Sequence, residues 1–98
     1  MPFLPDEPIH PGEILQEEFL AEYELTADKV AADLGVNAGR LAEVMAGQAP
    51  ITAELALRLS RYFSNSPEYW LNLQRGYDLA LAVKATEGLD AINPVHAA

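Results

Sequence analysis

The sequence predicts an all-α fold of five short helices in one domain, and three observations predict it. Apolar residues recur three and four positions apart along most of the chain, the spacing of a buried helical face. No segment shows the apolar–polar alternation of a half-buried strand. Each periodic run is also bracketed by residues that start and stop helices. A chain of 98 residues, half of them hydrophobic, fills one core and is too short to fill two.

Residues 1–10 hold several prolines and no periodicity, so an extended arm is expected there, followed by a domain over 11–84 and a frayed tail over 85–98. Pro11 suits a first helical turn, and His10 before it is read as a helix cap. Ile14, Leu15, Phe19, Leu20 and Tyr23 form the inner face of that first helix, with Glu13, Glu17, Glu18 and Glu22 on the other. Thr26 caps a second helix with Asp28 at its positive dipole end, apolar positions Val30, Ala31 and Leu34, and Gly35 as a left-handed stop. Asn37 caps a third carrying Leu41, Val44 and Met45, which Gly47 ends. Thr52 caps a fourth with Leu55, Ala56, Leu59 and Phe63. Ser66-Pro67-Glu68 opens a fifth, with Tyr69, Trp70, Leu73, Tyr77 and Leu81, ending before Gly88.

Composition excludes several functions. There is no cysteine, hence no disulfide framework, thiolate catalysis or cysteine-based zinc site. No apolar run approaches the roughly 18 residues of a membrane span, and the N-terminus lacks signal-peptide features, so a cytoplasmic protein without membrane contact is expected. No nucleophile–base pair, phosphate-cradling glycine loop or metal motif occurs, so no enzyme, cofactor or small-molecule substrate is expected. His10 and His96 are remote in sequence. Fifteen acidic residues against six basic ones give a net charge of −9. All the basic side chains lie from Lys29 onward.

The informative unit is residues 26–46. Two short helices joined by a tight turn cross steeply, which demands a small residue at the crossing, a residue tolerating positive φ in the turn, and apolar anchors around both. Ala31 and Gly35 meet the first two demands, and Val30, Leu34, Val36, Leu41 and Val44 the third. The spacing alone leaves open an ordinary αα-hairpin or a helix-turn-helix.

The run HPGEILQEEFL at 10–20, the unit at 26–46, and PITAELALRLSRYFSNSPEYWLNLQRGYDL at 50–79 closely resemble the HigA-type antitoxins, a branch of the Xre-like helix-turn-helix regulators that includes the plasmid-maintenance antidote proteins. The resemblance covers roughly residues 8–83 and is most specific in SPEYWLNLQRGYDL. It implies a five-helix, lambda-repressor-like domain with the helix-turn-helix at helices 2–3. It also implies homodimerisation through the C-terminal helix, binding of an operator in double-stranded DNA, and neutralisation of a small basic ribonuclease toxin. The expected function is an antitoxin-like transcriptional autoregulator. The alternative is a degenerate helix-turn-helix that has become a protein-interaction module.

In this motif the second helix enters the major groove with its early residues on base edges. The outward positions Asn37, Ala38, Gly39, Arg40, Ala42 and Glu43 are therefore the expected reading face, with Lys29 and Gln48 as further backbone contacts. Arg40 suits guanine O6 and N7, and Glu43 suits cytosine N4. Family members commonly carry glutamine where Ala27 stands, a polar or basic residue at 38–39, serine or asparagine at 42, and a Lys-Arg pair where this chain has Gln48-Ala49. So few donors, with the acidic net charge, predict weak operator binding by the protein alone. Tyr69, Trp70, Leu73, Tyr77 and Leu81 are the expected dimer seam, with closure of the monomer core as the competing role for Trp70 and Tyr77. Glu13, Glu17, Glu18, Glu22 and Glu24 form the expected toxin-facing surface, with a merely solvated helix face as the alternative. Arg58 and Arg61 are expected to pair with that acidic first helix, with phosphate contacts as the alternative.

Overall fold

The computed structural model describes residues 8–95 and contains five helices, with no strand among the described residues. Most of the expected N-terminal arm and His96 lie outside the described residues. Helix α1 (Pro11–Ile14) continues as a π-helical segment over Leu15–Leu20; α2 spans Ala27–Leu34, α3 Ala38–Met45, α4 Ala53–Phe63 and α5 Pro67–Ala85, and a 3-10 turn follows at Leu89–Ala91. Each cap expected from sequence is made. Thr26, Asn37, Thr52 and Ser66 accept the N–H three residues on, at 3.2, 3.1, 3.2 and 3.1 Å. Gly35 closes α2 at φ 73°, where a side chain would be strained.

The π-helical stretch changes the first helix from its expected form. Ala21 N–H donates to the Gln16 carbonyl and Leu25 N–H to that of Leu20, bonds that reach back five residues rather than four. The wider winding aligns Leu15 and Leu20, five apart, and both are buried. It also ends the regular helix at Leu20, so Tyr23, expected on the inner face, falls in the following turn and stays 59% exposed. Its ring stacks on Phe63 from outside, with centroids 5.9 Å apart.

Leu15, Val30, Leu41, Ala56, Leu59 and Trp70 form the centre of the core, with all of α1–α5 contributing. Helix α1 packs on α3 and α5, α2 on α3 and α4, and α4 on α5. Two polar side chains lock the longer connections. Gln74 of α5 is buried; its Oε1 accepts from Ile51 N–H at 2.8 Å and its Nε2 donates to Asp78 at 2.9 Å. Trp70 Nε1 donates to Asn65 Oδ1 at 2.9 Å, so the indole is buried without an unmet donor.

The tightest join lies at the start of α1. A Cβ added to Gly12 would sit 1.9 Å from the Val44 carbonyl oxygen and 2.9 Å from the Met45 Cα. Backbone therefore meets backbone, and only glycine fits. His10 secures the same corner. Its Nδ1 accepts from Gly12 N–H at 2.9 Å, and its ring packs edge-on against Tyr77 with centroids 4.8 Å apart. Gly12→Ala is expected to lower stability by about 1–3 kcal/mol or more, because neither main chain can give way, as read by urea denaturation.

His10 also makes stability pH-dependent. Burial holds its pKa below the ordinary 6.5, against the opposing influence of Asp78 and of a hydrogen bond with the Ala49 backbone. Its capping form is the neutral one, since Nδ1 must accept. The folded chain thus binds fewer protons than the unfolded chain as pH falls below 6.5. The stability due to this group is complete above that pH and is lost as pH falls towards the lowered value. Denaturation midpoints at pH 7 and roughly pH 5.5 should differ less for His10→Asn, which caps without titrating, than for the parent chain.

Candidate nucleic-acid interface

Three segments build the candidate reading surface: the turn Gly35–Asn37, the outer face of α3, and the start of α4. Helix α3 is fixed from behind by Leu41 and Val44, both buried, and by half-buried Met45. The opposite side carries Ala38, Gly39, Arg40, Ala42 and Glu43, every one exposed, with exposed Gln48 just beyond. These six therefore share one accessible surface, as the spacing predicts. Lys29 stands apart on α2, also exposed.

The side chains differ in how free they are to bind. Asn37 is the α3 cap, its Oδ1 committed to Arg40 N–H. A Cβ at Gly39 would press on that oxygen at 3.0 Å, which gives a local reason for glycine at a position where it costs the helix about 1 kcal/mol relative to alanine. The Lys29 ammonium donates to Asp33 Oδ2 at 3.0 Å, and the Tyr62 hydroxyl donates to the same oxygen at 2.6 Å. The Tyr62 hydroxyl, then Lys29, hold the Asp33 carboxyl below the usual carboxylate range, and Asp33 in turn raises the Lys29 pKa. Arg40 has no ion pair among the described residues.

Sequence reasoning missed the wall that faces Arg40. A depression of about 240 Å³ opens between the turn and α4, lined by Val36, Asn37, Arg40, Thr52, Glu54 and Arg58 among others. Arg58 corrects the expectation that it pairs with the acidic first helix. Its Nη1 donates to the Leu34 carbonyl at 2.8 Å, satisfying an orphan carbonyl at the end of α2, and its Nη2 lies 3.9 Å from Glu54. Arg61 is exposed, and neither arginine pairs with Glu13, Glu17, Glu18, Glu22 or Glu24 among the described residues. The reason is topological: α4 packs against α2 and α5, placing Arg58 beside the helix-turn-helix. No signal in sequence gives this contact, because Arg58 and Leu34 stand 24 residues apart and periodicity does not connect them.

The expected dimer seam is split. Trp70 is 0% exposed within its own chain, so the indole takes the competing role of closing the monomer core. Tyr77 is half-buried against His10 and Leu73 is half-buried against the core, while Tyr69 and Leu81 are exposed. A different face of α5 is open. A groove of about 690 Å³ runs along Leu71, Asn72, Arg75, Asp78, Leu79 and Ala82, and Leu79 is 58% exposed. Beside it, Gly76 has nothing within 4 Å of a would-be Cβ, so no contact in its own chain requires a glycine there.

Glu13, Glu17, Glu18, Glu22 and Glu24 are all exposed, and none forms an ion pair among the described residues. Among the described residues no group of acidic or histidine side chains is arranged to hold a metal ion, and no helix is long and apolar enough to cross a membrane.

No protein-family model matches the sequence. Individual relatives do. Virulence-associated protein I of Dichelobacter nodosus is 44% identical over 87 residues, covering 89% of this chain and 81% of that protein. Antitoxin HigA-1 of Vibrio cholerae is 35% identical over 72 residues, covering 74% of this chain and 68% of that protein. Among solved structures, Pseudomonas aeruginosa antitoxin HigA with its promoter superposes with a TM-score of 0.86 at 41% identity, covering 91% of this chain and 99% of that one. Antitoxin GraA in complex with its operator superposes with a TM-score of 0.88 at 35% identity, covering 99% of both chains. At these identities and coverages, the chain belongs to the HigA-type antitoxin family of helix-turn-helix transcriptional regulators.

Proposed function

We propose that this protein is a non-enzymatic autoregulator that binds its own operator as a homodimer, with α3 in the major groove, and neutralises a small basic toxin. The observation that carries the DNA reading is the uninterrupted exposure of Ala38, Gly39, Arg40, Ala42 and Glu43 along a helix locked from behind, in a fold whose relatives were solved on their operators. Arg40 and Glu43 supply the hydrogen bonds to base edges, and Ala38 and Ala42 lie against thymine methyl groups. Lys29, Asn37 and Gln48 face the phosphate backbone.

Affinity of the protein alone is modest by this reading. Lys29 must share its ammonium between Asp33 and a phosphate, and Arg58 is already committed to Leu34 and Glu54. Two or three phosphate contacts per subunit release few counterions, giving a shallow dependence on salt. These same features favour a second reading, a helix-turn-helix retained mainly for protein contacts. Gel-shift titration on the DNA upstream of the gene at two salt concentrations separates the two. Specific complexes are expected, and Arg40→Ala should weaken them by about 1–3 kcal/mol and relax the base preference at one position. Absence of specific binding at micromolar protein and low salt leaves only the second reading standing.

The dimer is best supported on the open face of α5 rather than on the Trp70 face. Leu71, Leu79 and Ala82 supply apolar surface there, and Gly76 leaves room for another main chain beside it. Arg75 and Asp78 sit one helical turn apart, so two antiparallel copies of the helix can exchange ion pairs. Leu79→Glu is expected to shift the sedimenting mass from dimer to monomer with the melting curve of the monomer fold retained, since Leu79 is mostly exposed. A dimer that survives Leu79→Glu places the seam elsewhere.

A further inference from the structure

The first turn of α3 has little of its own to rest on. Ala38, Gly39 and Arg40 are all exposed, and the first residue of the helix to reach the core is Leu41. The join between Gly12 and the Val44 carbonyl holds the opposite end. The N-terminal end hangs on the turn over residues 35–37, in which Gly35 and Asn37 are exposed and Val36 packs partly against the core. Early residues of a recognition helix are the ones that meet base edges, so the conformation of this turn decides where Arg40 points.

From within the motif the turn is closed by backbone bonds. Gly35 N–H donates to the Ala32 carbonyl at 3.2 Å and Val36 N–H to that of Ala31 at 3.0 Å. The Leu34 carbonyl, the last of α2, is taken from outside the motif, by Arg58 Nη1 at 2.8 Å. Arg58 works from a firm base, because Leu55 and Leu59 beside it on α4 are buried. Its guanidinium also lies close over the glycine of the turn: a Cβ at Gly35 would meet Nη1 at 3.4 Å. Glu54 adds only a 3.9 Å approach to Nη2 and is itself mostly exposed, so it steadies the group weakly. Turning Arg58 towards a DNA phosphate would strip the Leu34 carbonyl of this donor.

We propose that Arg58 is a positioning residue for operator reading. By holding the Leu34 carbonyl it fixes the turn, and through the turn the direction in which Arg40 leaves α3, without touching DNA itself. The inference rests on the operator binding proposed above and adds to it a residue that lies outside the helix-turn-helix. Arg61, three residues further along α4, is exposed and makes no ion pair among the described residues, so it serves as the charge-matched control.

Operator titrations of the full chain at several salt concentrations, on the parent operator and on single-base substitutions of it, test this. Arg58→Met keeps most of the stem and removes the donor. It is expected to weaken the complex roughly two- to tenfold, the worth of one hydrogen bond, and to flatten the preference at the base that Arg40→Ala identifies. The slope of log affinity on log salt should stay that of the parent, whereas a lost phosphate contact lowers it by about 0.9. Arg58→Lys keeps the charge on a side chain one bond shorter, which falls short of the carbonyl, and should flatten the preference as well. Arg61→Gln should leave the preference intact. A role in stability alone lowers the melting point of Arg58→Met, but the folded molecules then read with the parent preference, and that result overturns the positioning role. A salt slope reduced in Arg58→Met, or a preference kept in full by Arg58→Lys, assigns Arg58 to phosphate and overturns it too, as does equal flattening by Arg61→Gln. If Arg58→Met does not fold, Arg58→Lys against Arg61→Gln decides. A parent chain that binds no operator removes the reading itself and the positioning role with it, a failure told apart because it appears before any substitution is made.

Discussion

The contact between Gly12 and the Val44 carbonyl fixes the geometry on which the rest depends. Helix α3 is only eight residues long, too short to hold itself in water, so its position comes from what it packs against. Leu41 and Val44 anchor it to the core, but side chains alone permit small rotations. A backbone-to-backbone join permits almost none. By pressing α1 onto the C-terminal end of α3, it sets the angle at which Arg40 and Glu43 leave the surface. His10 ties Gly12 from one side and Tyr77 from the other, so α1, α3 and α5 are coupled at one corner. The placement of the reading face and that of the open α5 face are thus set by the same few atoms.

Acidity and DNA reading are reconciled by where the charges sit rather than by their sum. Net charge acts over distances that salt screens within about 8 Å, while reading depends on side chains at the interface itself. Beside α3 the described residues place Arg40 and Arg58 with Glu54, so this surface is mixed rather than strongly acidic. Glu13, Glu17, Glu18, Glu22 and Glu24, without an ion pair among the described residues, stand on α1 and its following turn, where no lysine or arginine lies. A chain built this way gains little from long-range steering towards DNA and depends on fit.

Much of this was legible in the sequence, and the pattern of what was not is instructive. Caps and stops were legible because their chemistry is local: Thr26, Asn37, Thr52 and Ser66 each act on an amide three residues away. Which side of α3 is exposed was legible because α3 is a regular helix, in which inward Leu41 and Val44 fix every other side chain. Tyr23 was misplaced because a helical period carries no sign of a π-helical stretch, and each residue beyond Leu20 then drifts from its expected phase. Trp70 is a case where sequence leaves two roles open, since a large aromatic at helical spacing suits a core and a seam alike. Gln74 and Arg58 were not legible in their actual roles. Each acts on a backbone group more than twenty residues away, and neither Ile51 N–H nor the Leu34 carbonyl has any signature in composition or spacing.

The arrangement of α4 gives the molecule its functional polarity. Its first half, with Thr52, Glu54 and Arg58, borders the depression beside α3, and its last turn, with Tyr62 and Phe63, lines a second groove with Tyr23, Leu25 and Ser64. Eleven residues of helix span about 16 Å, so the two grooves open towards opposite ends of α4. Helix α2 is held to α4 at two points one helical turn apart, Leu34 by Arg58 and Asp33 by Tyr62. These two α2 residues are adjacent in sequence, so one turn of α2 is tied to α4 through its backbone by Arg58 and through its side chain by Tyr62, with Lys29 sharing the Asp33 carboxylate.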